Sequence, residues 1–182
     1  MDRIELRRAT RWDVPALYLL YLNAFPPTER KPFGIILRMA KEGRTDLWVI
    51  RRDGKFAGLA STVNSPELVL LDYFAVKKSL RGRGVGSGAM GLLAREYADR
   101  GFLVEIESTR ENAANQQERE SRKRFYEGCG LVPLGLEVML FGIRMELLGL
   151  RCDLDFEGYR SFYTTFYTKR AEKHIQPVEE TP

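Results

Sequence analysis

One mixed α/β domain is what the sequence predicts, and three observations carry that reading. The chain has 182 residues, 44% apolar and 30% charged, the size and composition of an ordinary globular domain with enough surface to bury a core of its own. Its apolar pattern switches repeatedly between the two-residue period of strands and the 3.6-residue period of helices. Glycine, proline and Asp-Gly signals fall where those patterns change. The resulting order is β-αα-βββ-α-β-α-ββ-α.

The elements follow in turn. Ile4-Glu-Leu-Arg-Arg8 alternates as a half-exposed strand does. Thr10, with Asp13 three residues on, reads as the cap of a helix filled by Trp12, Ala16, Leu19, Leu20 and Asn23 and stopped by Pro26-Pro27. A second helix is expected over 32–42. The run DLWVIRR, then Asp53-Gly54, then KFAGLASTV reads as a tight hairpin. ELVLLDYFAV at 67–76 is apolar almost throughout, as in a strand buried on both faces. A glycine-rich turn leads into a helix carrying Val85, Ala89, Leu92, Leu93 and Tyr97 on one side, closed by Gly101. FLVEIES at 102–108 is a further strand, and 115–127 a polar helix ended by glycines. LEVMLFG and IRMELLGL make a last strand pair around Gly142. A final helix is expected over 156–173, and the tail from Gln176 reads as disordered, giving a domain over 1–175 and a flexible tail over 176–182.

Composition removes several function classes. Cys129, Cys152 and a single histidine, His174, are too few for a disulfide framework or a metal cluster, so no metal is expected. The charged start and the lack of any run of about 20 apolar residues predict a cytoplasmic protein without a membrane partner. The net charge of +4 raises a nucleic-acid reading. The basic clusters at 81–83 and 122–124 lack the interleaved aromatics of a single-strand binder, however, and no nucleic-acid partner is expected. The 122–124 cluster reads as a solvated helix face.

The segment Arg81-Gly-Arg-Gly-Val-Gly-Ser-Gly88 joins the buried strand to the next helix. Glycines admit close approach of a ligand to the backbone, and the amides at a helix start attract anions. Arg81 and Arg83 add charge suited to phosphate. A Walker loop is excluded by the missing Gly-Lys-Ser/Thr ending. The dinucleotide pattern Gly84-x-Gly86-x-x-Ala89 is disfavoured by the seven residues, Lys77 to Arg83, that separate the strand from its first glycine.

Arg81-x-x-Gly84-x-Gly86 resembles the acetyl-CoA motif, Q/R-x-x-G-x-G/A, of the GNAT acetyltransferase superfamily. LDYFAV resembles its fourth strand, FLVEIES its fifth, and RKRFYEGCGL its F-Y-E-x-x-G-F motif, in the family's order from about residue 4 to 150. Phe25 to Arg30 is similar to a segment of a bacterial subgroup whose acceptor is unassigned, where Glu29 could meet an acceptor; a helix-breaking turn is the plainer reading.

The resemblance implies a mostly antiparallel mixed sheet with a parallel, splayed central strand pair, flanked by helices, plus a C-terminal helix. It implies acetyl-CoA as cosubstrate and direct transfer of the acetyl group to an amine acceptor. The backbone of Phe74, Ala75 and Val76 would pair with the pantetheine arm. Arg81 and Arg83, with Gly84, Val85, Gly86 and Ser87, would hold the pyrophosphate. Tyr126 would be the acid for the departing thiolate, with Phe125 anchoring the helix. Arg119 stands where many members carry an asparagine.

For the base, the resemblance implies a carboxylate on the fourth or fifth strand, or a water chain. Asp72 lies in the buried strand and should have a partner or a raised pKa. Glu105 and Glu107 share one strand face, either lining a polar cavity or emerging at the strand end. The alternative function is a catalytically silent acyl-CoA-sensing module. The aromatic stripe from Phe156 to Tyr167 either docks the last helix on the sheet or contributes to a homodimer interface.

Overall fold

The computed structural model describes residues 3–166 and 171–178. Two units can be distinguished, one taking Met1–Asn64 and Leu70–Ala98, the other Ser65–Val69 and Asp99–Pro182.

In the first unit, β1 (Ile4–Arg8), β2 (Thr45–Arg52), β3 (Lys55–Asn64) and β4 (Leu68–Val76, from Leu70 on) neighbour one another in that order. The Asp53-Gly54 hairpin forms as its sequence demands: φ is 49° and 75° at the two residues, a conformation glycine takes at no cost and aspartate tolerates. Alternation along β2 sends Leu47 and Val49 to one face, where they pack with Leu17, Tyr21, Phe33, Ile36 and Tyr73. Of these, Leu17 and Tyr21 come from α1 (Val14–Ala24), Phe33 and Ile36 from α2 (Phe33–Lys41), and Tyr73 from β4. Ile50, Ala57 and Val76 pack with Val85 and Ala89 of α3 (Val85–Glu96).

Details of α1 depart from the sequence expectation. Thr10 does not cap the helix. Asp13 occupies the cap position, and its carboxylate reaches back to accept from the Thr10 amide and hydroxyl, each at 2.7 Å. The buried face is Leu17 and Tyr21, whereas Trp12 is 78% and Leu19 63% exposed. The span Val14–Ala24 holds no charged residue, so periodicity alone had no polar side with which to orient it. Gly101 does not close α3 either; Tyr97 ends it, buried and donating to Asp46 at 2.6 Å, and Gly101 opens the next strand.

In the second unit, β5 (Gly101–Glu107), β7 (Ile143–Leu150), β6 (Val132–Leu140) and β8 (Ile175–Pro177) follow in that order, with the start of β4 beside β5. The β4–β5 pair is parallel and the rest of the sheet antiparallel. Phe141 (φ 50°) and Gly142 (φ 81°) turn the chain between β6 and β7. Helix α4 (Gln116–Gly128) lies where expected and contacts β5. Helix α5 covers Phe156–Phe166, and Ala171–His174 is a separate 3-10 turn; Tyr167 and the three residues after it lie outside the described residues. Past that turn the chain pairs as β8, Gln176 opposite Met139, so order extends across the expected tail boundary. No helix among the described residues is long and apolar enough to cross a membrane.

Candidate active site

The end of β4 and the turn after it supply one set of candidate residues. Lys78–Leu80 forms a 3-10 turn, and Arg81 Nε donates to the Val76 carbonyl at 3.2 Å, tying the turn to the strand it leaves. The glycines then do different work. Gly82 and Gly84 adopt φ of 70° and 75° with open space where a side chain would stand, so backbone conformation requires them and nothing crowds them. A Cβ at Gly88 would instead stand 3.0 Å from Ile4, so this glycine serves the packing of α3 on β1. Helix α3 has no side-chain cap, and its first intrahelical bond runs from the Gly88 amide to Gly84 at 2.9 Å. The amides of Val85, Gly86 and Ser87 therefore precede the helix ladder and carry its positive end.

Asp72 has the partner its burial required. Its carboxylate accepts from Lys31 Nζ at 2.7 Å. Lys31 comes from the loop between α1 and α2, held by two buried tyrosines. The Tyr21 hydroxyl donates to the Lys31 carbonyl at 2.9 Å, the Lys31 amide donates to Tyr73 Oη at 3.0 Å, and Tyr73 donates to the Glu29 carbonyl at 2.9 Å. Burial, reinforced by the neighbouring Asp72 charge, pushes the Tyr73 phenol well above its ordinary value. Both tyrosines thus stay protonated and keep donating. Glu29 takes part through its backbone.

The other candidates lie in the second unit. Tyr126, on α4, is buried, with its ring against Phe125 at 5.1 Å. Burial pushes its phenol up to about 12, against a smaller opposing pull from the Arg122 charge. Glu105 and Glu107 do share a face of β5, but with different neighbours. Glu105 accepts from Tyr159 at 2.7 Å and Tyr163 at 2.9 Å, both on α5. Glu107 meets Arg119 at 2.9 Å, Asn115 at 3.2 Å and Arg122 at 3.3 Å, all on or at the start of α4. The last helix therefore docks by its aromatic stripe, with Tyr159, Phe162 and Tyr163 buried. The basic run at 122–124 is not a merely solvated face: Arg122 pairs with Glu107, and Lys123 with Glu146 at 2.5 Å.

That last pair sets an acid limit on stability. Glu146 is 6% exposed. Burial would raise its carboxyl, but hydrogen bonds from Lys123 and from the Thr109 hydroxyl and amide outweigh burial and hold it below its ordinary 4.5. A carboxyl lowered in the folded state contributes stability that is present above its unfolded value and lost as pH falls through the folded one. Thermal melting is therefore expected to show Tm falling as pH drops below about 4.5, with a shallower acid slope in Glu146→Gln.

A family model, the acetyltransferase (GNAT) family, matches residues 14–131, more than half of the 182-residue chain. The chain belongs to the GNAT family. Solved GNAT-type structures are similar in fold. A putative acetyltransferase of that family from Bacteroides thetaiotaomicron superposes with a TM-score of 0.73 at 22% identity, covering 88% of this chain and 96% of that one. A Bacillus subtilis acetyltransferase in complex with CoA gives 0.58 at 20% identity, covering 82% and 98%. A variant spermidine N-acetyltransferase from Vibrio cholerae gives 0.63 at 14%, covering 81% and 92%. No curated protein sequence matches significantly.

Against the GNAT pattern, Arg119 is the marked departure. It is 8% exposed and spans from Glu107 to the Ser108 carbonyl at 3.0 Å, so it is a structural cation of α4. Sequence reading singled out neither the Lys31 partner of Asp72 nor the tyrosine partners of Glu105. Each pair is separated by 41 to 58 positions. The only available signal was the demand of a buried carboxylate for a donor.

Proposed function

We propose that this protein is an acetyl-CoA-dependent N-acetyltransferase that passes the acetyl group directly to an amine. The observation that carries the reading is the turn into α3, where uncapped amides and two positive-φ glycines with open space lie beside the arginines at 81 and 83, an arrangement suited to a pyrophosphate. The backbone amides of Val85, Gly86 and Ser87 would hold it, with Arg81 and Arg83 pairing its charge and Gly84 admitting its close approach. Phe74, Ala75 and Val76 would take the pantetheine arm along β4.

The bound thioester supplies the acyl group, and the remaining chemistry falls to side chains. Tyr126, protonated at neutral pH, donates to the leaving sulfur. Asp72 takes the amine proton. Glu105, fixed by Tyr159 and Tyr163, is suited to anchor a cationic acceptor, and Glu107 to positioning α4, whose next turn carries Tyr126. Spermidine is the acceptor named for one neighbour of similar fold, and a small cationic amine is the acceptor class proposed here. Direct transfer to the amine needs no thiol nucleophile, so Cys129 has no part in it.

Calorimetric titration tests the cofactor assignment. Wild-type protein is expected to bind acetyl-CoA, and Arg83→Ala to bind it about tenfold more weakly, the value of one charge-assisted hydrogen bond. Equal affinity in the two proteins contradicts the assigned phosphate contact.

A further inference from the structure

We infer that Lys31 is itself an acceptor, so that the protein acetylates its own ε-amine at this position. The inference rests on the reading of Asp72 as the base and of the end of β4 as the acetyl-CoA track. Its own support is the placement of Lys31. The ammonium lies 2.7 Å from Asp72, where an acceptor amine would have to stand to lose its proton to that carboxylate. The placement is built rather than incidental. The Lys31 amide and carbonyl are both held by the buried Tyr73 and Tyr21 hydroxyls, so the backbone from which the side chain starts is fixed. The ammonium then runs past the Tyr73 ring, 5.6 Å from its centroid. Its side chain is 32% exposed and that of Asp72 12%, so the pair is reachable but poorly hydrated.

Strand geometry brings the donor to the same place. Phe74, where the proposed pantetheine track begins, is two residues from Asp72, about 7 Å along a strand. An acyl group carried past Phe74 from the α3 turn therefore arrives at the Asp72–Lys31 pair. Of the other lysines of the first unit, Lys41 lies at the end of α2, Lys55 at the start of β3, and Lys77 and Lys78 directly after β4.

The step balances with acetyl-CoA as the only co-reactant. One proton passes from the Lys31 ammonium to Asp72. The freed nitrogen lone pair forms the bond to the acetyl carbon, and the carbon–sulfur bond breaks with its electron pair on sulfur. The second nitrogen proton ends on the thiol, leaving an amide at Lys31 and free CoA. Acetylation removes the positive charge, so the ion pair is lost and Asp72 becomes available to an external amine. Self-modification would then precede full turnover with external acceptors.

The experiment incubates purified full-length protein with acetyl-CoA and no added amine. It follows intact mass and the acetylation of each lysine peptide, with acetyl-CoA-induced thermal shifts recorded in parallel. The expected result is one acetyl group on Lys31, its appearance slowed at least tenfold by Asp72→Asn, and none at that position in Lys31→Arg, which keeps the charge on Asp72. A wild-type protein stabilised by acetyl-CoA but unmodified at Lys31 overturns the inference and leaves the acetyl-CoA reading standing. Modification of Lys41 and Lys55 as fast as Lys31 also overturns it, since that is solution chemistry. The absence of any thermal shift removes the cofactor reading and the inference together.

Discussion

Replacing Tyr126 by phenylalanine is expected to slow acetyl transfer by about 10²–10³-fold while leaving acetyl-CoA affinity within about twofold. The substitution removes one hydroxyl from a ring that is 8% exposed and packed on Phe125, so α4 keeps its packing and loses only the proton donor. Because burial places the phenol near 12, it is protonated throughout the neutral and moderately alkaline range. The wild-type profile of kcat against pH should therefore show no descending limb from this group there. An acid with an ordinary phenol value would begin to lose its proton near pH 10. Unchanged turnover in Tyr126→Phe would assign the proton donation elsewhere.

The second large effect is on folding, at Gly58 in the middle of β3. A Cβ there would stand 2.4 Å from the Ala75 carbonyl oxygen and 3.3 Å from the Val76 Cα, both backbone atoms of the neighbouring strand that cannot rotate away. Gly58→Ala is expected to cost roughly 2–3 kcal/mol, which for a chain of this length lowers Tm by about 4–12 °C. The control is Gly34→Ala on α2, where nothing lies within 4 Å of the added carbon; it should be neutral or stabilise by up to about 1 kcal/mol through helix propensity. The Gly58 clash falls on Ala75, on the proposed pantetheine track. Any Gly58→Ala protein that still folds should consequently bind acetyl-CoA more weakly. Melting both variants by circular dichroism, with and without acetyl-CoA, separates the two effects.

These two positions show what the sequence could and could not disclose. The place of Tyr126 near the end of α4 was legible because its motif is local: FYEGCG marks a helix end, and the tyrosine sits at a fixed offset within it. The Asp53-Gly54 turn, the glycine-rich entry to α3 and the hairpin at Gly142 were legible for the same reason, since each is a backbone conformation that only a few residues adopt cheaply. Gly58 looked like any small residue in a strand, because its requirement comes from a carbonyl 17 positions away. Helix α1 was placed, but its buried residues Leu17 and Tyr21 were not singled out, for want of a charged residue to mark its solvent side. Strand β8 was missed since three residues carry no period, and its pairing is set by Val138–Leu140.

The candidate site divides in the same way. Local chemistry identified the carboxylates Asp72, Glu105 and Glu107, but not what each one meets. Lys31, the α5 tyrosines and the α4 arginines reach them from distant segments, and those partners give three otherwise similar acids different surroundings. Arg119 illustrates the limit. By position it replaced a residue expected to meet the cofactor, and its actual bonds to Glu107 and Ser108 are to its own fold.

The central claim is that this chain moves an acetyl group from acetyl-CoA to an amine, and release of the CoA thiol tests it most directly. Purified protein with acetyl-CoA is titrated with a panel of polyamines, small primary amines and peptides with free amino termini, and thiol appearance is followed against protein-free controls. The account predicts saturable, amine-dependent thiol release with at least one cationic member of the panel, suppressed in Tyr126→Phe. Tight acetyl-CoA binding with no amine-dependent release across the panel would contradict it and would mark the protein as a silent acyl-CoA-sensing module.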